Sequence, residues 1–334
     1  MTAAAVAVLL ANPSRATKLD TEAWTGILCA ARAERLLASL AHRLDGLDLP
    51  DDVQSVLDSA RADAEVGRTE TLWEAEMARR ALAPLGVPAV LLKGTAFVAA
   101  GLDAGQGRLI GDLDILVPRD RLDEVEAALI AAGWEWVKPD PYDDEYYRRW
   151  MHELPPLIHR DRDRMIDVHH TILPLTARPT PDAGALIEAS IPLENGLRVL
   201  CPEDMIVHAA AHLLADGDLA GGLRNLWDID RLVREFESEA FWAKLDTRAH
   251  LHGLVESVTR SLRLSTDLFG TPIPARHNRW HRQDKWYRAR LLARDGWGRA
   301  TRRFIRQVFY IRSHWLRMPP LMLARHLWTK WRKG

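Results

Sequence analysis

The chain has 334 residues, 47% hydrophobic and 27% charged, enough for two domains of ordinary size or one domain with helical additions. This is the composition of a soluble globular protein: no run approaches the length of a transmembrane helix, and two cysteines, Cys29 and Cys201, make neither a disulfide framework nor a metal-site spacing, which points to a reducing cytoplasm. The formal charge of −1 hides an asymmetry, because residues 276–334 carry 17 Lys and Arg against two acids while the first 275 carry 28 against 44, so one end suits a polyanion or an acidic surface, the chain's own included.

In chain order, the apolar run Met1 to Ala11 reads as a packed or frayed helix; no Lys or Arg precedes it as a signal peptide would require. Residues 18–85 read as helical, with a break at Pro50-Asp51 and a second helix from about Asp52 to Leu85 that ends at Gly86. The period then changes. Ala89 to Leu92 reads as a buried strand, Leu113 to Val117 as a second with Asp112 at its start, Arg121 to Ala132 as a helix closed by Gly133, and Trp134 to Val137 as a third strand. Asp140 to Trp150 looks like an acidic, aromatic loop, and Leu157–Arg160 with Met165–His169 look like strands joined across Asp161 to Arg164. After a connection at Pro174 to Pro181, Pro202 at an N1 position opens amphipathic helices to about Gly270, and a basic tail follows Pro272-Ile273-Pro274. The fold class expected is α+β: a small mixed-sheet α/β core at 87–200, flanked by a helical region at 1–86, another at 201–271, and a basic Trp/Arg-rich helical tail at 272–334.

Asp112 and Asp114 stand two apart on a predicted strand, so their side chains share a face and the carboxylates converge. Two carboxylates held together repel, and one takes up a proton unless a cation lies between them. A divalent ion resolves that conflict, and Mg²⁺ favours carboxylate oxygens plus substrate phosphates, which points to phosphoryl or nucleotidyl transfer. The plainer alternative is a strand-edge pair that caps the next element. Asp167, in Met165-Ile166-Asp167-Val168-His169, favours the metal, because it is a third acid on another apolar strand. Upstream, Leu91-Leu92-Lys93-Gly94-Thr95 ends a strand and opens a helix, where Gly94 would let backbone N–H groups approach a phosphate and Thr95 would add a hydroxyl. Taken alone, that junction is indistinguishable from an ordinary tight turn.

Lys93-Gly94-Thr95, Arg108, Gly111-Asp112-Leu113-Asp114-Ile115-Leu116-Val117 and Ile166-Asp167-Val168-His169 together resemble the uncharacterised bacterial nucleotidyltransferases of the DNA polymerase β superfamily. The resemblance covers about residues 20–235, including the helical stretch with Asp204, His212 and Asp228. Two departures are Lys-Gly-Thr in place of the commoner Gly-Gly-Ser and the 16 residues between Thr95 and Asp112. The resemblance implies transfer of a nucleoside monophosphate from an NTP to a hydroxyl-type acceptor (a small molecule, protein or RNA), with two Mg²⁺ ions, or Mn²⁺, on Asp112, Asp114 and Asp167. It implies Lys93, Gly94, Thr95 and Arg108 as nucleotide-binding residues and Asp228 as a residue lining the site, while His169 is expected to line it because it shares the Asp167 face of its strand. The rival reading is a catalytically silent protein of this fold, docked to membrane or nucleic acid by its tail.

Weaker signals remain. His208 and His212 have a spacing that can bind zinc, but no third ligand completes the pattern. Asp228 and Asp230 imitate Asp-x-Asp on a helix, where i and i+2 diverge, so a second metal site is not expected there and Asp228 reads as a buried hydrogen-bonding residue unless it lines the site. The tail interleaves Arg with Trp280, Trp286, Trp297, Trp315, Trp328 and Trp331, which suits nucleic acid or an anionic membrane surface, and suits equally a segment packed on the acidic body. The location expected is cytoplasmic, with peripheral membrane contact through 276–334 allowed by that composition.

Overall fold

The apolar N-terminal run forms α1 (Thr2–Ala11), with Ala3, Val6, Ala7, Leu9 and Leu10 buried against the helices that follow. This is seen in a computed structural model that describes residues 2–138, 141–317 and 328; Asp140, Trp331 and the other tail residues beyond 317, Trp328 apart, lie outside the described residues. Asp20 caps α2 (Thr21–Ala33) by accepting from the Ala23 N–H at 2.8 Å. After α3 (Leu37–Arg43), Pro50 stops the chain and the 32-residue α4 (Asp51–Leu82) begins at once; Gly86, with φ of 62°, closes its last turn in the left-handed region. The break at Pro50-Asp51 and the stop at Gly86 are where the sequence placed them.

The central sheet is mixed and has seven strands, β1 (Val90–Leu91), β2 (Asp112–Leu116), β3 (Trp134–Trp136), β4 (Leu157–His159), β5 (Met165–His169), β6 (Ile191–Pro192) and β7 (Arg198–Val199), in the spatial order β3-β4-β5-β2-β1-β7-β6. The α+β class with a small mixed sheet is confirmed. The β6–β7 hairpin has no counterpart in the expected strands. Two-residue strands carry no alternation to read, and Pro192, which cannot donate to a ladder, is tolerated because β6 is at the sheet edge.

Between the strands run α5 (Lys93–Ala99), α6 (Leu122–Ala131), α7 (Pro141–Trp150) and α8 (Ala183–Glu188). The α7 helix corrects the expected loop at 140–150. Its sequence is dense in charge, and Arg148 bonds Asp144 one turn back at 2.8 Å and reaches both oxygens of Glu126 on α6 at 2.9 and 2.7 Å. Arg162 in the β4–β5 turn makes a two-point contact with Glu74 of α4 at 2.6 and 3.0 Å, tying the long helix to the strands.

The remaining helices are α9 (Pro202–Ala210), which runs into a π-helical turn over Ala211–Asp216, then α10 (Gly222–Phe236), α11 (Glu239–Leu251) and α12 (Val255–Phe269), which packs on both α9 and α10. In the basic segment, α13 (Asp284–Leu291) and α14 (Arg303–Arg317) bury Tyr287, Leu291, Leu292 and Phe309. Asp284, fully buried, is clamped by Arg260 at 3.1 Å and Arg263 at 2.7 Å from α12. Arg294 reaches back to Glu34 at 2.7 Å, and Gly298 is so close to the Cys29 carbonyl that a Cβ there would stand 2.6 Å from its oxygen. One face of α14 stays outward, with Phe304, Val308, Ile311 and Trp315 exposed. No helix among the described residues is long and apolar enough to cross a membrane, and neither Cys29 nor Cys201 is in a disulfide.

Candidate active site

Strands β2 and β5 are parallel neighbours, in a register that sets Asp114 opposite Asp167. Alternation along β2 turns Leu113 and Ile115 into the core and Asp112 and Asp114 to the other face; Ile166 and Val168 do the same for Asp167 on β5. The three acids therefore meet, with a carboxylate oxygen from each within 4.8 Å of the others. Asp112 is exposed at the rim, Asp114 is buried, and Asp167 lies between these extremes.

Two further groups converge on Asp114. Lys93, just past β1, has φ of 50°, a left-handed conformation that only a few per cent of residues other than glycine adopt, and its Nζ is 2.6 Å from Asp114 Oδ1. His169 Nε2 is 2.9 Å from the same oxygen. Burial alone would raise the Asp114 carboxyl, but the Lys93 charge and the His169 hydrogen bond hold it well below the usual carboxylate range. Burial works against the Lys93 ammonium, yet Asp114 beside it keeps its pKa above the ordinary lysine value. Asp167 bears what repulsion remains. Burial first, then Asp114 and Glu153, push it up to about 7, and its buried Oδ1 has no hydrogen-bond partner among the described residues.

An orphaned carboxylate oxygen beside two further acids is the donor set a hard divalent cation prefers, so the residues fit Mg²⁺ or Mn²⁺. The fit has a consequence for stability without metal. The folded pKa of Asp167, about 7, exceeds its ordinary 3.8, so between those values the folded state holds a proton that the unfolded chain releases, and stability falls as pH rises through that window. In chelator, Asp167→Asn is therefore expected to match the wild type near pH 4 and to exceed it by about 2–4 kcal/mol at pH 8. Urea unfolding of both proteins across that range checks this, and a difference independent of pH would refute it. Comparing the two proteins removes the opposing effect of His170, whose pKa burial lowers to about 4.

Beside the acids opens a cleft lined by Lys93, Phe97, Arg108, His208, Asn225 and Asp228, among others. Arg108 does not project freely into it. Its guanidinium is ion-paired with Asp228, and Asp228 is held from behind by Arg224, whose Nη2 and Nε lie 2.6 and 3.0 Å from Oδ1. Asp228 is thus both the buried hydrogen-bonding residue and a cleft-lining one. Gly94 has a further constraint. The left-handed residue at this junction is Lys93, whereas Gly94 is required because Arg108 lies across it: a Cβ would stand 2.5 Å from Arg108 Nε. Thr95 is 1% exposed, and its hydroxyl is buried with no partner among the described residues. Asp230, the other half of the apparent Asp-x-Asp, points away and binds Thr271 at 2.7 Å and Arg234 at 3.0 Å. Asp204 is likewise remote, bonded to Arg248 on α11 at 2.8 Å.

Compared with known families, residues 20–270 match the model of an uncharacterised nucleotidyltransferase family. The chain belongs to that family. Among the curated proteins nothing matches. The matched span holds the cleft residues of this nucleotidyltransferase from Lys93 on α5 to Asp228 on α10, and stops before α13. Within it, sequence reasoning did not place His208 or Asn225 in the cleft, and it passed over His152 and Glu153, which lie against His169. Burial lowers the His208 pKa well below the usual histidine value, so it enters the cleft as a neutral imidazole.

Proposed function

We propose that this nucleotidyltransferase moves a nucleoside monophosphate from an NTP to a hydroxyl-type acceptor, in a site of the polymerase β kind. The observation that carries this reading is the meeting of Asp112, Asp114 and Asp167 across the paired strands β2 and β5, with one buried carboxylate oxygen left without a partner. The three acids would hold two Mg²⁺ ions, or Mn²⁺, which on binding would neutralise the charge that develops on the triphosphate.

The chain's own residues would do the rest. Lys93, and Arg108 with it, would bind the phosphates, the first as a point charge and the second as a fork. For that, the Lys93 ammonium would exchange Asp114 for a phosphate oxygen. The acceptor oxygen forms a bond to the α-phosphorus, the bond to the β-phosphate oxygen breaks, and pyrophosphate leaves with the electron pair. The acceptor's proton would pass to the Asp167 carboxylate, which the bound ions would keep ionised and so able to accept it. Asp167→Ala is accordingly expected to lose transfer while it retains NTP; calorimetry with a non-hydrolysable NTP and Mg²⁺ checks this, and loss of nucleotide binding together with activity would contradict the division of roles.

One observation favours the silent reading: Asp114 is already satisfied by Lys93 and His169. In that reading the protein is a docking module, and the exposed Phe304, Val308, Ile311 and Trp315 beside Arg303 and Arg306 would meet an anionic membrane surface or a nucleic acid. Incubation with each labelled NTP, Mg²⁺ or Mn²⁺ and a cell extract separates the two. Transfer of label to a defined acceptor supports the enzyme, and no label from any NTP supports the docking module.

A further inference from the structure

We propose a second metal site, independent of the aspartates, in which His152, Glu153 and His169 hold one zinc-class divalent ion. The segment that follows α7 is pinned to β5 by its backbone. Glu153 pairs with His169 in an antiparallel bridge, Leu154 N–H donates to the Val168 carbonyl at 2.9 Å, and His170 N–H donates to the His152 carbonyl at 2.9 Å. The three side chains are thereby fixed on one side of the strand, with the two imidazoles stacked at a centroid distance of 5.2 Å. Glu153 Oε2 stands between them, 3.4 Å from His169 Nδ1 and 3.6 Å from His152 Nε2. Ligand atoms about 2.0–2.1 Å from a tetrahedral zinc lie roughly 3.3–3.4 Å from one another, so Glu153 Oε2 is already nearly at ligand spacing from both imidazoles, and all three donors lie within 4.8 Å of one another.

The buried ring of His169 makes the case for a cation. Its Nε2 donates to the Asp114 carboxylate at 2.9 Å. Its Nδ1 is buried and without a hydrogen bond, although it stands 3.4 Å from Glu153 Oε2. A metal ion held by both would bind the nitrogen and the carboxylate that the fold brings together but leaves unbonded. The third donor, on His152, favours a metal ion over a proton. A ligating histidine whose other nitrogen donates to a carboxylate is the usual outer-shell arrangement at metal sites, and Asp114 supplies that carboxylate. Two imidazoles and one carboxylate suit zinc, cobalt or iron rather than Mg²⁺, and three protein ligands leave a fourth position open.

The test uses the full chain without an affinity tag, stripped with chelator and then given one equivalent of Co²⁺ or Zn²⁺ in saturating Mg²⁺, which occupies the aspartates. The expected results are visible cobalt bands of a four- or five-coordinate site, displaced by zinc, and two imidazoles in the zinc X-ray absorption spectrum of the wild type. Glu153→Gln and His152→Ala should each weaken binding by about 100-fold or more, while Asp112→Asn leaves it unchanged. Absence of stoichiometric binding at micromolar metal, an all-oxygen absorption spectrum, equal affinity in Glu153→Gln, or loss of binding in Asp112→Asn would each overturn the proposal. The absorption spectrum decides on the wild type alone, so the test survives a variant that fails to fold.

Discussion

Asp114→Asn is expected to lower transfer by about a thousandfold or more, equivalent to roughly 4 kcal/mol of transition-state stabilisation. Asp112→Asn should do the same to the rate, but the two should differ in stability. The sequence suggested that removing either charge would relieve repulsion. The structure distinguishes them: Asp114 is satisfied by Lys93 at 2.6 Å and His169 at 2.9 Å, so its loss removes favourable contacts, whereas Asp112 lies exposed at the rim. Asp114→Asn should therefore unfold more easily in chelator than the wild type, and Asp112→Asn should melt close to it. Breaking a buried pair costs about 3–5 kcal/mol at most, and here less, because Lys93 keeps Asp112 and Asp167 as neighbouring charges. Turnover and urea unfolding measured on both variants check the pair of expectations; near-normal turnover in either variant would remove that acid from the mechanism.

The second large effect concerns the basic segment. Asp284→Ala should cost about 3–5 kcal/mol, because it leaves Arg260 and Arg263, 5% and 9% exposed, with buried charge and no carboxylate between them. Truncation after Pro274 should be worse, since it also strips Tyr287, Leu291, Leu292 and Phe309 from the core and leaves Glu34 without Arg294. An insoluble or strongly destabilised product is expected. A truncated chain that remains soluble and melts within a few degrees of the full one would show that the segment's packing contributes little.

The parts legible in the sequence were those whose cause is local. Asp112 and Asp114 could be found because strand alternation separates them from Leu113 and Ile115 by face, and Asp167 because Ile166 and Val168 flank it in the same way. The pairing of Asp114 with Asp167 was not legible, since parallel register is set by the whole sheet. Lys93 was expected to serve a phosphate; its ion pair with Asp114 depends on a left-handed backbone angle that no residue preference announces. His152 and Glu153 were invisible for the same reason. Their place beside His169 comes from backbone pairing across some 16 residues of chain, and their own neighbours in sequence have no periodicity to read. The α7 helix was misread because Arg148, Asp144 and Glu126 supply through charge what pattern reading seeks in apolar spacing.

The contact between Arg294 and Glu34 spans 260 positions of the chain, and Gly298 closes on Cys29 in the same place. During synthesis at about 5–20 residues per second, the opening helices would wait roughly 13–50 s for the segment that completes their burial. Throughout that interval Glu34 lacks its counter-charge and part of the face of α2 stays uncovered, while the central sheet has already left the ribosome. The nascent chain thus spends that interval with this part of α2 open to chaperones or to neighbouring chains, and a ribosome stall before Arg294 is added would yield a product that is incomplete at its early helices rather than at its growing end.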